Sequence, residues 1–352
     1  MFDDAEQKKE GVLVIVDRYY YHQLNKQEQA IYKVFYDGVM AHQDIIPIPV
    51  RGELHQESFE RIFSAMTRDN PLIYFLNQSA CSIASDIFGH MAICPQYFFT
   101  KEKVKEYNRK IEKIVNELAG TLRLLECSDY EKELRIHDWI CQNVEYDYEG
   151  TDKSKLSRVI ASHNILGAFA YHKAQCEGIA KAVKVLLNAV DIKCIVVTGN
   201  SMKNGKSLPH AWNIVNINGD PYQLDVTWDI GGSGQNKKHK RYDYFNLTDE
   251  LINRDHKMAD KLPECRKKTE NYHVKKKCSF QSRHQLVTYI DKLLEQNANI
   301  LEFRVEGSLN HILIEKEVSD YIIQKLQKKE KNKGRIKISS NKKMGIYWME
   351  IY

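Results

Sequence analysis

Apolar positions along this chain recur with two different periods, and the changes between them mark the elements. Asn25 can cap a helix that starts after Leu24; Glu28 completes a capping box, and Ile31, Phe35 and Val39 follow at near-helical spacing. A second helix is predicted from Ser58 through Ala65, stopped near Asp69-Asn70-Pro71. LIYFL, SIASDIF and MAICPQYFF then read as short strands, after which Thr100 opens a long charged helix to about Leu125 and Ser128 opens another to Val144. Behind Cys176, the positions Ile179, Val183, Leu186, Leu187 and Val190 define one buried helical face. Strand patterns follow in DIKCIVVTG and HAWNIV, and Asn218-Gly219 is the strongest short signal for a two-residue type I′ turn. YDYFNL reads as the last strand of this unit. From His273 the order is strand (VKKKCSF), helix (Arg283 to Gln296), strand (ILEFRVEG), helix (about Glu317 to Lys329) and two strands turned at Lys342 to Gly345. The chain thus divides into a mostly helical N-terminal region (1–125), a core (126–257), a linker (258–272) and a small C-terminal α/β domain (273–352), and the class is α+β.

The chemistry concentrates between Gln175 and Asp229. Cys176 falls in the first turn of its helix, where unpaired backbone N–H groups and the positive end of the helix dipole favour thiolate over thiol. Gly178 leaves room there for a close approach. With Asn218-Gly219 as the turn, His210 faces Thr227, Trp212 faces Asp225, and Asp225 becomes the diagonal neighbour of His210. A four-residue loop keeps the parity and brings Asp229 opposite His210, so Asp225 ranks first and Asp229 second. Cysteine, histidine and aspartate in this order supply a thiol nucleophile, its general base and the carboxylate that orients the base. His172 is a rival base that has to fold back from a loop, and His137-Asp138 are helix neighbours that do not face each other. The backbone N–H of Cys176 is one oxyanion donor. Gln175, beside the nucleophile, is a substitute for the second, and Trp139, Trp212 and Tyr146 are candidates to border the cleft.

QCEGIAKA, HAWNIV and YQLDVTWD resemble the Cys, His and Asp boxes of the bacterial transglutaminase-like superfamily, whose core is related to papain-type cysteine proteases. Upstream, SDYEKELRIHDWICQNVEYD and NILGAF resemble the segments leading to the nucleophile; downstream, YDYFNLTDELINRDH resembles the segment that closes the domain. The resemblance implies a nucleophile helix packed on an antiparallel sheet, with Cys176, His210 and Asp225 as triad. It also implies amide chemistry through a thioester on a protein or peptide, without metal or other cofactor. Peptidase is the first reading because water is then the acyl acceptor; a cross-linking acyltransferase and a non-catalytic scaffold are the alternatives. The family also departs here: papain-like enzymes place an oxyanion glutamine several residues before the cysteine, where this chain has Ala170.

Composition narrows the setting. With 352 residues, 43% hydrophobic and 28% charged, the chain is long enough for two or three globular domains. A net charge of +5 is too slight to name an acidic partner, and the lysines of KLQKKEKNKGRIK lack the interleaved aromatics of a nucleic-acid platform. The eight cysteines form no CxxC pair and do not cluster with histidine, which predicts reduced thiols and no structural metal. VLVIV is shorter than a membrane span and lacks a signal-peptide layout, so the expectation is a cytoplasmic protein, with a removed leader left open. GNSMKNGKSLP reads as a polar loop that either gates the cleft or links two strands.

Overall fold

The computed structural model describes residues 13, 15–51, 54–150, 156–203, 205–232, 240–309, 313–328 and 335–352. Val12 and Val14 of VLVIV, the stretch from Ser233 to His239 and the middle of the C-terminal lysine run lie outside them. Three capped helix starts form where the sequence marks them. Asn25 caps Lys26–Ala41 and Ser128 caps Asp129–Asn143, each with a complete capping box, and Thr100 caps Lys101–Thr121. The Gln56–Asp69 helix starts two residues earlier than expected. LIYFL is not a strand: Pro71 at the first helical position turns Pro71–Ile73 into a 3-10 turn, and the strand here is Ile46–Arg51. That strand joins His90–Cys94 and Ser82–Ser85 in a small antiparallel sheet.

The helix Cys176–Asn188 is the centre of the molecule, and it is buried all round from Gly178 to Asn188 rather than on one face. A four-stranded sheet covers one side of it. The N-terminal region covers another, so its polar positions are neutralised internally: Lys184 Nζ donates to the carbonyls of Asp17 (2.9 Å) and Cys194 (2.6 Å), and Lys181 pairs with Glu177 (2.7 Å). One continuous core contains Tyr32 and Phe35, Ile136 and Ile140, Val183 and Leu187, Trp212 and Leu224. Cys265, from the stretch read as linker, is buried in this core, and its backbone N–H donates to Asp249 Oδ2 at 2.9 Å.

The central sheet has the order Asp220–Leu224, Lys206–Ile217, Cys194–Lys203, His256–Met258, antiparallel throughout. Its hairpin has the predicted register, with Ile217 opposite Asp220 and Asn213 opposite Leu224, and both turn residues carry the positive φ of a type I′ turn (54° and 87°). YDYFNL contributes a single bridge, Leu247 to Gln223, and the fourth strand is His256–Met258. GNSMKNGKSLP is no loop but the far end of a long hairpin, paired from Gly199–His210 to Lys203–Lys206.

The C-terminal sheet runs Ser279–Phe280, Ile300–Val305, Ile346–Ile351, Ile336–Asn341, with helices Arg283–Glu295 and Leu313–Lys328. VKKKCSF begins as a helical turn (Tyr272–Lys275), and only Ser279–Phe280 is strand. Met344 and Ile346 pack against Tyr244, Leu247, Leu251 and Ile252 in a separate small core, which fastens this unit to the segment behind the central sheet. Among the described residues, no helix is long and apolar enough to cross a membrane.

Candidate active site

Cys176 is the first residue of its helix, with Gln175 as the N-cap. Gly178 permits the approach that fixes this start, because a Cβ there would lie 2.5 Å from the Ser162 carbonyl oxygen and 2.8 Å from that of Asn164. Gly178→Ala is therefore expected to destabilise the protein by about 1–3 kcal/mol, as overpacking against fixed backbone does; a thermal melt within a degree of wild type would contradict this. Cys176 is half-buried and packs beside Ala180 against Val196 and Ala211 of the sheet.

His210 sits opposite Gly199 on the neighbouring strand, 8% exposed. Its Nε2 lies 2.6 Å from Asp225 Oδ2, and the ring also hydrogen-bonds with the Cys176 thiol, which leaves Nδ1 for the sulfur. Burial works against charge on this ring. The Asp225 carboxylate and then the Cys176 sulfur outweigh it and raise His210 to about 10. The strand ends at Leu224, so Asp225 is not the diagonal strand neighbour anticipated but the residue before the short helix Val226–Gly232, whose Trp228 N–H donates to Oδ1 at 3.1 Å. Asp225 is fully buried; burial pushes its carboxyl up, but His210 and then His256 hold it well below the usual carboxylate range.

The turn of that helix carries Asp229 away from His210 to His137, at 3.1 Å, where the Tyr244 N–H also meets it. His137 is buried, bridges Asp229 and Asp138, and pins the short helix to Asp129–Asn143. Thr227 lies in the same short helix and makes no strand pair with His210. His172 is exposed, with φ 53°, and its carbonyl accepts from the Glu145 N–H.

Gln175 gives one amide N–H to the Asp147 carbonyl at 3.2 Å and so is fixed just ahead of Cys176. Asp147 is itself clamped by Arg158 (3.1 and 2.7 Å) and Ser162 (3.0 Å). Trp212 is wholly buried, donates to Gln223 Oε1 at 2.7 Å and stacks on His210, so it holds the ring rather than lining a cleft. Trp139 is half-buried at the edge of the main core. Tyr146 pairs with Ala174, two residues before Cys176; burial first, and then charge on Cys176, pushes its hydroxyl up to about 12, so it keeps its proton.

The residue that sequence reasoning passed over is His256. Its Nε2 lies 3.0 Å from the same Asp225 oxygen that His210 uses, and its Nδ1 lies 2.7 Å from Asp255 Oδ1. The signal available was only its place in NRDH, with no spacing that ties it to Asp225. His210, Asp225 and His256 also present ligand-type atoms within 4.8 Å of one another. Ligands of a tetrahedral ion at about 2.1 Å stand about 3.4 Å apart. The 2.6 and 3.0 Å separations here are those of direct hydrogen bonds.

Residues 116–226 match the family model described as the transglutaminase-like superfamily, a span that includes Cys176, His210 and Asp225. The chain carries a transglutaminase-like domain, with the α+β fold of that superfamily. Among curated proteins, the kyphoscoliosis peptidases of Mus musculus and Homo sapiens are 30% and 28% identical over 125 residues, 33% of this chain. The match spans 18% of the length of those relatives. A solved TGase structure aligns at TM-score 0.30 and 16% identity, over 56% of this chain and 53% of that one.

Proposed function

We propose that this protein is a cysteine enzyme that cleaves amide bonds of a protein or peptide through a thioester. What supports the reading above all is one arrangement: a half-buried thiol at a helix start, hydrogen-bonded to an imidazole whose other nitrogen lies 2.6 Å from a buried carboxylate. Cys176 sulfur attacks the scissile carbonyl, and the tetrahedral oxyanion faces the Cys176 backbone N–H. His210 gives its proton to the departing amine, which leaves the acyl group on sulfur. Water, deprotonated by His210, then attacks the thioester and releases the acid and the thiolate. Asp225 keeps the imidazole in the tautomer and orientation that both transfers need.

Tyr146, protonated and beside Cys176, is the second oxyanion donor in this reading. Tyr146→Phe is expected to lower kcat by about 10²-fold with KM little changed; a fall in KM-linked binding alone would remove Tyr146 from that role. Hydrolysis is preferred to transfer onto an amine. Supplying a primary amine with a glutamine-containing protein and weighing the products tests this: unmodified masses with new cleavage products are expected, and amine-sized additions would overturn it.

A further inference from the structure

We propose that His256 is a positioning residue of the site, a cationic imidazole clamped between Asp225 and Asp255 that fixes the triad carboxylate and tempers its hold on His210. The inference rests on the triad reading above and adds a residue beyond the matched span, which ends at 226.

The geometry leaves His256 one protonation state. Both ring nitrogens face carboxylate oxygens, Nε2 to Asp225 Oδ2 at 3.0 Å and Nδ1 to Asp255 Oδ1 at 2.7 Å, and a neutral imidazole has only one N–H to give. The charged groups facing it are Asp225, Asp255 and His210. Burial and His210 disfavour its charge, while the bonds to the two carboxylates raise it, and the balance is upward. The other walls are rings: Trp212 at 5.1 Å, Trp228 at 4.9 Å and Tyr244 at 5.5 Å between centroids.

The clamp continues outward. Tyr244 Oη donates to Asp255 Oδ2 at 2.7 Å and accepts from Asn341 Nδ2 at 3.3 Å. Asn341 ends the C-terminal strand Ile336–Asn341 and is itself fixed by the Met344 N–H at 3.2 Å. An unbroken chain of buried or half-buried side chains therefore runs from Cys176 through His210, Asp225, His256, Asp255 and Tyr244 to the accessory domain. That chain gives the small interface around Met344 and Ile346 a purpose other than tethering: it holds the far end of the clamp.

Two consequences separate charge from mere packing. A cationic His256 shares the Asp225 oxygen, so it draws down the negative field that His210 feels; a neutral replacement that can still donate leaves that field to His210 alone. Protein labelled with 13C-histidine and followed by NMR through pH 5–11 reads both rings, with His256→Gln assigning one and His210→Gln the other. The expected result is a wild-type His256 that titrates above the 6.5 of an ordinary imidazole. In folded His256→Gln the His210 midpoint should rise by about half to one pH unit. A wild-type His256 that loses its proton near pH 6.5 overturns the proposal, as does an unmoved His210 midpoint in the folded variant. The wild-type titration decides alone if the variant does not fold. Neither readout needs turnover, so failure of the clamp is distinct from failure of the nucleophile reading, which shows as unselective alkylation of Cys176.

Discussion

Cys176→Ala is expected to lower amide cleavage by at least about 10⁴-fold while the protein melts within a few degrees of wild type. The two halves have separate causes. Without sulfur there is nothing to carry the acyl group, and the remaining oxyanion donors give only the residual rate that triad removal leaves. The side chain is half-buried against Ala180, Val196 and Ala211, so truncating it opens no enclosed void. Full activity in the variant contradicts the nucleophile assignment; a collapse in melting temperature contradicts the packing argument.

Asp225→Asn is expected to damage both activity and stability. Activity should fall by about 10³–10⁴-fold, because an amide whose oxygen stays on the Trp228 N–H turns its NH2 toward the imidazoles and sets the wrong tautomer of His210. Stability should fall by about 3–5 kcal/mol at neutral pH, the cost of leaving buried cations without their carboxylate. The pH dependence has a definite sign. His210 is raised from 6.5 to about 10 in the folded state, so its contribution is fully present below about pH 6.5 and is lost as pH rises through about 10. Asp225 is lowered, so its contribution is present above the ordinary carboxylate range and is lost as pH falls through its depressed folded value. Chemical denaturation at pH 7 and pH 10 should therefore show wild type losing stability with pH and Asp225→Asn losing much less. Parallel losses in the two proteins would contradict the linkage.

Local signals made much of the fold legible. The capping residues Asn25, Thr100 and Ser128 start helices because each satisfies an orphan N–H within its own turn, and Asn218-Gly219 fixed a register that the strands follow down to Asn213 and Leu224. Long-range effects were not legible. The apolar repeat behind Cys176 suggested one buried face; the helix is buried all round, and one of the partners that make this tolerable, the Asp17 carbonyl at Lys184 Nζ, lies 167 residues away along the chain, with the nearer Cys194 carbonyl as the other. Asp225 was chosen by strand geometry, yet the strand stops at Leu224 and the residue reaches His210 from the head of a short helix. His256 went unseen because strand His256–Met258 pairs with Gly199–Ser201, a contact between segments more than fifty residues apart with no turn to announce it.

Eight free cysteines make an internal comparison possible, since Cys81, Cys94 and Cys127 are half-buried as Cys176 is, while the other four are buried. Limited iodoacetamide labelling near pH 6.5, with peptide masses read at each cysteine, measures their relative nucleophilicity directly. The account predicts that Cys176 is carboxamidomethylated at least about tenfold faster than Cys81, Cys94 and Cys127, and that His210→Gln removes the advantage. Labelling of Cys176 no faster than those three would contradict the claim that imidazole and carboxylate converge on its sulfur to make it a nucleophile.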